Sequence, residues 1–360
     1  MAIKADVVVV GAGIAGVSAA YELSRTCSVA LLEQESQPAY HTTGRSAAMF
    51  LESYGGPAVR SLTADSRAVF EAVANLLTPR PQMWVAPPEQ LDRLAALRAA
   101  NPHLKPLNEV EARQLCPVLR PGWCASALLD TAALEIDVLG LHQHYLGGAR
   151  RQGLRVHLAA PLLAGRRDGD RWLLETGAGP VRADWVVNAA GAWADVVAER
   201  LGVPPIGLTP LRRTAAVARA AGVVRSWPLV ADVAETFYFR PEGLGVLLSP
   251  ADETPSEPCD ARPDDVDVAL AVDRVNAATT LDLRSIAAAW AGLRTFSPDR
   301  TPVVGPDPAA PGFCWLAGQG GYGIQTAPAM AKLAADLVTS PAAVAPPALS
   351  PDRFRRPAAP

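Results

Sequence analysis

Three glycines and one acid near the start of the chain have the types and the spacing of a nucleotide-binding site. Gly11, Gly13 and Gly16 form a G-x-G-x-x-G pattern, and an acid, Glu33, lies 22 residues beyond its first glycine. Gly11 permits a tight turn, Gly13 lets the backbone approach a pyrophosphate, and Gly16 allows close packing of a helix on a strand. A carboxylate at Glu33 can accept hydrogen bonds from ribose hydroxyls. The pattern predicts that this stretch binds an adenine dinucleotide.

A strand–helix–strand unit must hold these residues in place. Residues 5–10 are an apolar run rich in Val, residues 14–25 are amphipathic, and residues 29–32 form a second apolar run just before the acid. These patterns predict two strands joined by a helix, the context in which such a glycine pattern is specific. The helix begins at Ile14 and Ala15, so its free N–H groups and the positive end of its dipole face the phosphates.

The composition narrows the class of protein. The chain has 360 residues, of which 49% are hydrophobic, enough for two domains or for one domain with a large inserted lobe. Its net charge of −3 argues against nucleic acid or an anionic membrane as a partner. No apolar run reaches the roughly 18 residues of a membrane-spanning helix, and the glycine motif begins too early for a signal peptide to precede it. We expect a cytoplasmic protein without a transmembrane segment, with peripheral membrane association left open.

The five cysteines are scattered singly along the chain and form no C-x-x-C pair. An odd number of isolated cysteines argues against a disulfide framework and against a zinc site. We therefore expect buried reduced thiols and no metal site.

The remaining periodicities predict alternating helices and strands in the first half of the chain and a β-rich region in the second. Residues 36–48 are small and polar and are typical of a loop beside the nucleotide site. The other elements predicted for the first half are a helix at 57–77, a strand at 80–85, two short helices within 88–116, a helix at 138–151, a strand at 154–158 and a hairpin at 162–174. Those of the second half are a strand over 185–193 that ends in small residues, strands at 211–219, 236–240 and 245–249, a helix near 266–279, a strand, glycine turn and helix over 313–338, and a loose tail at 341–360.

The glycine pattern alone does not separate NAD from FAD. Three further features do: the motif is N-terminal, small-residue turns recur at 189–192 and 318–323, and a β-rich region lies between those turns. Together they resemble the D-amino acid oxidase and glycine oxidase superfamily of FAD-dependent amine oxidoreductases, and within it the D-arginine dehydrogenase-like bacterial members. The segments that carry the resemblance are HTTGRSAA at 41–48, WAGLRTF at 290–296 and QGGYGIQT at 319–326.

The resemblance implies an α/β fold in which a Rossmann-like FAD-binding domain is combined with an α+β, β-rich substrate-binding domain. We expect a discontinuous FAD-binding domain over residues 1–50, 138–205 and 295–340, and a substrate-binding domain over 51–137 and 206–294. The residues expected to hold FAD, without a covalent bond, are Gly11, Gly13, Ile14, Ala15, Gly16, Glu33, Gln34, Thr43, Gly44, Arg45, Ser46, Ala47, Ala48, Ala160, Ala190, Gly191, Trp193, Gly292, Gly318, Gly320, Gly321, Tyr322, Gly323, Ile324 and Gln325.

The resemblance also assigns residues to the substrate. Arg212 and Arg294 are expected to hold its carboxylate, since a planar guanidinium matches a carboxylate with two parallel hydrogen bonds. Tyr54 and Tyr238 are expected to form the wall of the pocket, and the carbonyl of Gly321 to receive the substrate amine.

The chain departs from the arginine-preferring members in the pocket for the substrate side chain. Those members carry an acid in the R-P-x-M strand and polar residues after the S-A-A turn, whereas this chain has Gln82, Met49 and Leu51 there. We therefore expect a neutral, more apolar pocket. Gln325 is expected on the helix near the flavin ring.

These parts imply an enzyme that oxidises the α-carbon–amine bond of a neutral or apolar D-amino acid. The product is an imino acid, which water hydrolyses to a 2-oxo acid and ammonia, while the flavin carries the difficult chemistry. The amine must first lose a proton; Tyr238, a bound water and deprotonation on binding all remain open. The electron acceptor, whether oxygen, a quinone or another carrier, is left open.

Three alternatives share parts of this pattern. The first is an oxidase of glycine, sarcosine or another secondary amine acid. The second is an NAD-linked dehydrogenase, which has no use for the glycine-rich turn at 318–323. The third is a non-catalytic flavin-binding subunit of a heteromeric complex, which has no need of Arg212, Arg294 and Tyr238.

Overall fold

The computed structural model describes residues 2–355, which form eight α-helices and twenty β-strands. The helices are α1 Ile14–Leu23, α2 Pro57–Ala72, α3 Leu91–Ala100, α4 Glu109–Leu115, α5 Val138–Arg151, α6 Ala194–Arg200, α7 Asp265–Ala278 and α8 Gly323–Thr339. The strands are β1 Ile3–Val10, β2 Val29–Leu32, β3 Met49–Phe50, β4 Leu77–Pro79, β5 Gln82–Ala86, β6 Lys105–Asn108, β7 Ser126–Asp130, β8 Leu134–Ile136, β9 Arg155–His157, β10 Leu162–Asp168, β11 Arg171–Thr176, β12 Gly179–Asn188, β13 Thr209–Arg219, β14 Leu229–Asp232, β15 Tyr238–Glu242, β16 Gly245–Ser249, β17 Thr254–Pro255, β18 Ile286–Phe296, β19 Val303–Pro306 and β20 Phe313–Ala317.

The first sheet has a parallel core in the order β9-β2-β1-β12-β20. The antiparallel strand β19 extends it beyond β20, and the hairpin β10–β11 pairs with the first half of β12. Helices α1, α5 and α8 cover one face and α6 covers the other. Burial on both faces explains why β1 ends in four consecutive valines rather than in an alternating pattern. This is the α/β, Rossmann-like arrangement that the sequence predicts, with the predicted strand at 154–158 as its third strand.

The second sheet has nine strands and comes from two separate parts of the chain. Its order is β17-β13-β16-β15-β14-β5-β7-β6, and β18 pairs antiparallel along the other side of β13. One face packs on α4 and α7. The opposite face carries the side chains of Trp84, Leu229 and Ala231, with Tyr238 packed beside them. The β-rich region predicted for the second half of the chain is therefore confirmed.

A third sheet of three short strands, β3-β8-β4, corrects one predicted helix. The helix expected over 57–77 ends at Ala72, and Leu77 instead pairs with Ile136 in β8. The backbone is already extended at Val73, which ends the helix, and Asn75, with a φ of 64°, turns the chain into β4. Helix α2 packs on α8 of the first sheet's helical layer rather than on the second sheet.

The last described part of the tail that we expected to be loose, residues 349–355, is docked. Leu349 is buried, and its carbonyl accepts a hydrogen bond from the N–H of Val304 at 2.9 Å. Arg355 forms an ion pair at 2.7 Å with Asp307, which is buried. The prediction of a loose tail is therefore wrong over residues 349–355, because apolar burial and a buried carboxylate hold them; residues 356–360 lie outside the described residues.

The five cysteines are free thiols. Burial raises the pKa of Cys116 and of Cys314 to about 12, and that of Cys124 to about 11, so these three remain protonated. Cys259 is exposed and Cys27 is half-buried, so the expectation of buried thiols holds for three of the five.

Candidate active site

The glycine motif forms the turn between β1 and α1. Gly11 has a φ of 102°, and a Cβ atom there would lie 2.5 Å from the carbonyl oxygen of Ala189. A Cβ atom on Gly16 would lie 1.8 Å from the carbonyl oxygen of Gly11. Both positions therefore require glycine, the first for the turn and for the approach of β12, the second for the packing of α1 on β1.

Glu33 lies at the carboxyl end of β2 and is only 8% exposed. Its Oε2 accepts a hydrogen bond from the N–H of Ala12 at 2.7 Å, and its Oε1 accepts one from the N–H of Glu35 at 2.9 Å. A carboxylate has about four lone-pair positions, so two backbone donors fix the group and leave acceptor capacity for a ligand.

A first cavity of about 760 Å³ opens above these residues. It is lined by small residues of the two strand ends, by Glu33 and by the loop at 36–48. The predicted FAD-binding residues that it brings together are Gly11, Gly13, Glu33, Gln34, Thr43, Ala160, Ala190, Gly191 and Trp193.

The loop at 36–48 is tied to both sheets. The hydroxyl of Thr43 accepts a hydrogen bond from the N–H of Ile14 at 3.0 Å, at the first turn of α1. Arg45 donates to the carbonyls of Ala261 and Ala291, each at 2.9 Å, and pairs with Asp260. The charge of Arg45 is thus engaged in joining this loop to the second sheet.

A second cavity of about 940 Å³ continues from the first and shares Gly13, Thr43 and Gly191 with it. Its walls are the start of α1, the S-A-A turn, residues of β13 and β18, and the last glycine turn. The predicted residues that line it are Gly13, Ile14, Ala15, Thr43, Arg45, Ser46, Ala47, Gly191, Tyr238, Gly292, Arg294, Gly320, Gly321, Gly323 and Ile324. Thr295, which the sequence analysis missed, also lines it; this residue is 6% exposed and its hydroxyl has no hydrogen-bond partner.

A third cavity of about 720 Å³ joins the second at Arg294, Tyr238 and Gly321. Its floor is formed by side chains of the adjacent strands β5, β14 and β15 of the second sheet. The predicted residues that line it are Ser46, Ala47, Ala48, Met49, Leu51, Tyr54, Gln82, Tyr238, Arg294, Gly321 and Gln325.

Arg213, rather than the predicted Arg212, shares this cavity with Arg294. Arg294 on β18 stands opposite Leu211 on β13, and residues two apart on a strand share a face. Arg213 is therefore on the face of Arg294, and Arg212 is on the opposite face. There Arg212 forms an ion pair at 2.8 Å with Asp267 of α7, so its charge is not available to a ligand in the cleft.

The pair of guanidinium groups makes this part of the cleft positive. Burial, together with the charge of Arg294, lowers the pKa of Arg213. Burial also opposes the charge of Arg294, but electrostatic interactions with Tyr54, Tyr238 and Tyr322 and a hydrogen bond with Tyr54 outweigh burial and raise the pKa of Arg294. An arginine has an ordinary pKa above 12, so both groups stay cationic at neutral pH and attract an anion.

Arg213 is held by the segment that follows β16. Its Nε donates to the backbone carbonyl of Asp252 at 2.7 Å, and its guanidinium lies 3.3 Å from Glu253. The carboxylate of Asp252 in turn accepts hydrogen bonds from the N–H and the hydroxyl of Thr214 at 2.7 and 3.1 Å. This arrangement fixes the guanidinium before any ligand is bound.

Gln325 lines the third cavity, but its amide is already satisfied. Its Oε1 accepts from the N–H of Leu51 at 3.2 Å, and its Nε2 donates to the hydroxyl of Thr63 at 2.8 Å and to the carbonyl of Leu51 at 3.3 Å. Gln325 therefore supports the segment that carries Leu51, and its amide is not free for a ring.

Four predicted FAD-binding residues lie behind or beside the cleft rather than in its walls. Gly16 lies in the first turn of α1 and packs on Gly11, Gly44 packs on Ala39, and Gly318 packs on Ser297. Tyr322 contacts Tyr54 edge-on, with ring centroids 5.0 Å apart, and lines an outer groove. These residues shape the turns around the cavities.

Two carboxylates near the third cavity are committed elsewhere or exposed. Glu52 pairs with Arg67 at 2.6 Å and is not among the residues that line the cavity. Glu235 is exposed and lines both the third cavity and the outer groove. The inner wall around Gln82, Met49 and Leu51 is therefore uncharged.

The chain matches one family of proteins and is similar to several known members. The family described as FAD dependent oxidoreductase matches residues 6–337. The chain belongs to this family. It is 27% identical to the mitochondrial dimethylglycine dehydrogenase of Rattus norvegicus over 93% of its length, but it spans only 43% of that relative. It is 28% identical to a glycine oxidase of Pseudomonas aeruginosa, covering 92% of this chain and 94% of that one. The L-proline dehydrogenase of P. horikoshii has the same fold, with a TM-score of 0.86, 19% identity and 99% of both chains covered.

The membership decides the dinucleotide, because the cofactor of this oxidoreductase family is FAD rather than NAD. The residues present fit it. Glu33 offers spare acceptor capacity to a ribose, and α1 offers its N-terminus to the pyrophosphate. In the second cavity, the unpartnered hydroxyl of Thr295 and the small residues of the glycine turns leave a polar contact and room for a flat ring.

Within residues 2–355 no helix of this FAD-dependent oxidoreductase combines the length and the apolar character needed to cross a bilayer.

Proposed function

We propose that this oxidoreductase oxidises the α-carbon–amine bond of D-amino acids with neutral side chains. The substrate loses one proton from its amine and a hydride from its α-carbon, which gives an imino acid. Water then adds to the imine, and a 2-oxo acid and ammonia leave. FAD, when bound, supplies the two-electron acceptor for this step.

One observation carries the proposal: two cationic guanidinium groups, Arg213 and Arg294, face the junction of the second and third cavities. A ligand carboxylate placed between them is the group that their planar forks match best. Such a carboxylate fixes the α-carbon at the boundary between the proposed flavin site and the proposed side-chain site.

The groups beside the arginine pair suit an amine. Gly321 lies so close to Arg294 that a Cβ atom on it would be 3.0 Å from the guanidinium nitrogen. Its carbonyl is the acceptor proposed for the substrate amine, and Tyr238, on the shared wall of the second and third cavities, provides a hydroxyl nearby. An ammonium group must lose a proton before its lone pair can stabilise the developing imine, so an acceptor beside it orients the neutral amine.

The uncharged inner wall supports neutral side chains. Gln82 holds the position of the acid that the arginine-preferring relatives carry, and Met49 and Leu51 stand on the same side. A cationic side chain there would be desolvated without a counter-charge. The proposed D configuration rests on the resemblance of residues 41–48, 290–296 and 319–326 to the D-arginine dehydrogenase-like enzymes.

A second candidate is the oxidation of glycine or of an N-methylated glycine. It is favoured by the similarity, over more than nine-tenths of the chain, to a dimethylglycine dehydrogenase and a glycine oxidase. The third cavity favours the first candidate, because its walls extend to Gln82 and Trp84, well beyond what a substrate without a side chain occupies.

The decisive experiment mixes the FAD-loaded protein anaerobically with single amino acids and follows the flavin absorbance. The panel contains both enantiomers of methionine, phenylalanine and arginine, together with glycine, sarcosine and dimethylglycine. We expect bleaching by D-methionine and D-phenylalanine, with one 2-oxo acid and one ammonia per turnover. Bleaching confined to glycine, sarcosine or dimethylglycine would favour the second candidate. No bleaching by any member would point to a non-catalytic flavin-binding subunit.

A further inference from the structure

Strand β5 presents a polar pair that the described residues leave without partners. Gln82 and Trp84 are two residues apart, so their side chains stand on the same face of the strand. They are 3% and 6% exposed, and neither Gln82 Oε1 nor Trp84 Nε1 has a hydrogen bond. Both residues line the third cavity. Two residues in the wall of this cavity therefore carry buried polar atoms, one acceptor and one donor, that have no partner.

The neighbouring strands offer these two groups almost nothing. Leu229 and Ala231 on β14 stand opposite Gln82 and Trp84, and Leu128 on β7 stands opposite Trp84 from the other side. All three of these neighbours are apolar. Strand β14 therefore offers no polar side chain to Gln82 or Trp84. Strand β7 offers none directly opposite Trp84.

The one polar neighbour in the sheet is already committed. Asp130 on β7 stands opposite Gln82. Its carboxylate accepts hydrogen bonds from the hydroxyl of Ser53 at 2.7 Å and from the N–H of Ala132 at 3.0 Å. Asp130 is an acceptor, and so cannot satisfy the amide oxygen of Gln82. Buried polar atoms without partners are rare and costly in native proteins, and a ligand that completes them is one explanation for their retention.

We propose that Gln82 and Trp84 form a subsite for an uncharged hydrogen-bonding group at the end of the substrate side chain, best met by a primary amide. Such an amide donates an N–H to Gln82 Oε1 and accepts the indole N–H of Trp84. It also suits the other rotation of the Gln82 amide, because it has both a donor and an acceptor to offer. This inference rests on the proposed function and adds to it a preference, among neutral side chains, for those that end in a hydrogen-bonding group.

Other groups at the end of a substrate side chain would satisfy Gln82 and Trp84 less well. An ammonium or guanidinium group finds no carboxylate on the inner wall. A carboxylate accepts from the indole but faces the oxygen of Gln82 without a counter-charge. A thioether or alkyl group fills the space and leaves both polar atoms unsatisfied.

The first test compares D-glutamine with D-methionine, whose side chains have similar length. We expect a kcat/KM for flavin reduction at least about tenfold higher for D-glutamine, as for one to two net hydrogen bonds. Trp84→Phe and Gln82→Met, which keep shape and remove the polar atom, should each bring this ratio close to one. Glu52→Gln, outside the cavity, is the control and should leave the ratio unchanged. An equal or reversed preference in the wild type, or a ratio that both variants leave intact, would overturn the subsite.

The second test does not depend on catalysis or on the configuration of the substrate. The carboxylic acids 4-carbamoylbutanoate and 4-(methylthio)butanoate carry the same side chains without an amine, so they bind but are not oxidised. Titration followed by the flavin spectrum should give a Kd at least about tenfold lower for the amide, with the difference lost in Trp84→Phe. Retained amide preference in a protein that oxidises no D-amino acid would refute the proposed function alone. Equal binding of the two acids, or binding of neither, would refute the subsite.

Discussion

Alternate side chains of strand β13 face opposite sides of the sheet, so two adjacent arginines on it should have different roles. Arg213→Ala removes one of the two guanidinium groups that face the third cavity, whereas Arg212→Ala removes a group that pairs with Asp267 on the other face of the sheet. The two variants carry the same change of side chain at adjacent positions. We therefore expect Arg213→Ala to disable the use of substrate and Arg212→Ala to leave it almost untouched.

The magnitude follows from what each arginine contacts. A hydrogen bond to a charged group contributes about 1.5–3 kcal/mol, and truncation of one partner of a buried charged pair costs about 2–5 kcal/mol. A loss of about 2.7 kcal/mol lowers kcat/KM roughly a hundredfold. The fold should tolerate Arg213→Ala, because Glu253 keeps its ion pair with Arg300 at 2.8 Å and the repulsion from Arg294 is relieved. Arg212 lies near three carboxylates, Asp252 at 3.9 Å, Asp264 at 3.6 Å and Asp267 at 2.8 Å, so its removal should lower stability rather than the use of substrate.

The assay is anaerobic flavin reduction in a stopped-flow instrument, with D-methionine varied and the FAD content of each variant measured first. Arg213→Ala should keep its FAD and lose at least about a hundredfold in kcat/KM, while Arg212→Ala should change less than about threefold. A larger loss in Arg212→Ala than in Arg213→Ala would show that the register between β13 and β18 does not select the carboxylate-binding arginine.

Three further predictions follow from the same site. Arg294→Ala should lower kcat/KM by at least about a hundredfold with little loss of FAD. Arg294→Lys should recover only part of the lost kcat/KM, because an ammonium lacks the planar fork of a guanidinium. A lysine variant with near-normal kcat/KM would show that Arg294 does not bind the carboxylate. Acid precipitation should release all the FAD, because the strand around Arg294 contains no cysteine and Cys314 is buried with a raised pKa; yellow colour retained in the pellet would reveal a covalent link. Wild-type protein should have a higher kcat/KM for D-methionine than for D-arginine, because a buried cation without a counter-charge costs several kcal/mol. Gln82→Glu should shift the preference toward D-arginine. Because Glu52 is paired with Arg67, a wild-type preference for D-arginine would refute the neutral pocket.

Much of the nucleotide site could be predicted because its determinants are local. The turn at Gly11, the start of α1 at Ile14 and the acid Glu33 lie within one strand–helix–strand unit of about thirty residues, in which hydrophobic period and glycine spacing decide the geometry. The same holds for the strand and turn that end at Gly191 and for the final turn before α8. At these places the residue types alone specify the backbone, since few other residues fit the contacts.

The substrate site depends on pairings between distant parts of the chain. Whether Arg212 or Arg213 faces the cleft is decided by the register of β13 on β18, about eighty residues away, because a shift of one residue exchanges the two faces. The hydrogen bonds of Gln325 with Leu51 and Thr63 likewise arise only where α8 meets α2 and the segment before α2. Local periodicity carries no information on either contact.

The sequence by itself thus determined the dinucleotide-binding unit, the class of fold and the set of residue types available for chemistry. Tertiary structure alone decided which of those residues meet: Arg213 with Arg294, Gln325 with Leu51 and Thr63, and residues 349–355 docked through Leu349 and Arg355. The physical reason is that backbone geometry follows from neighbours in sequence, whereas the face that a side chain presents follows from strand register and burial.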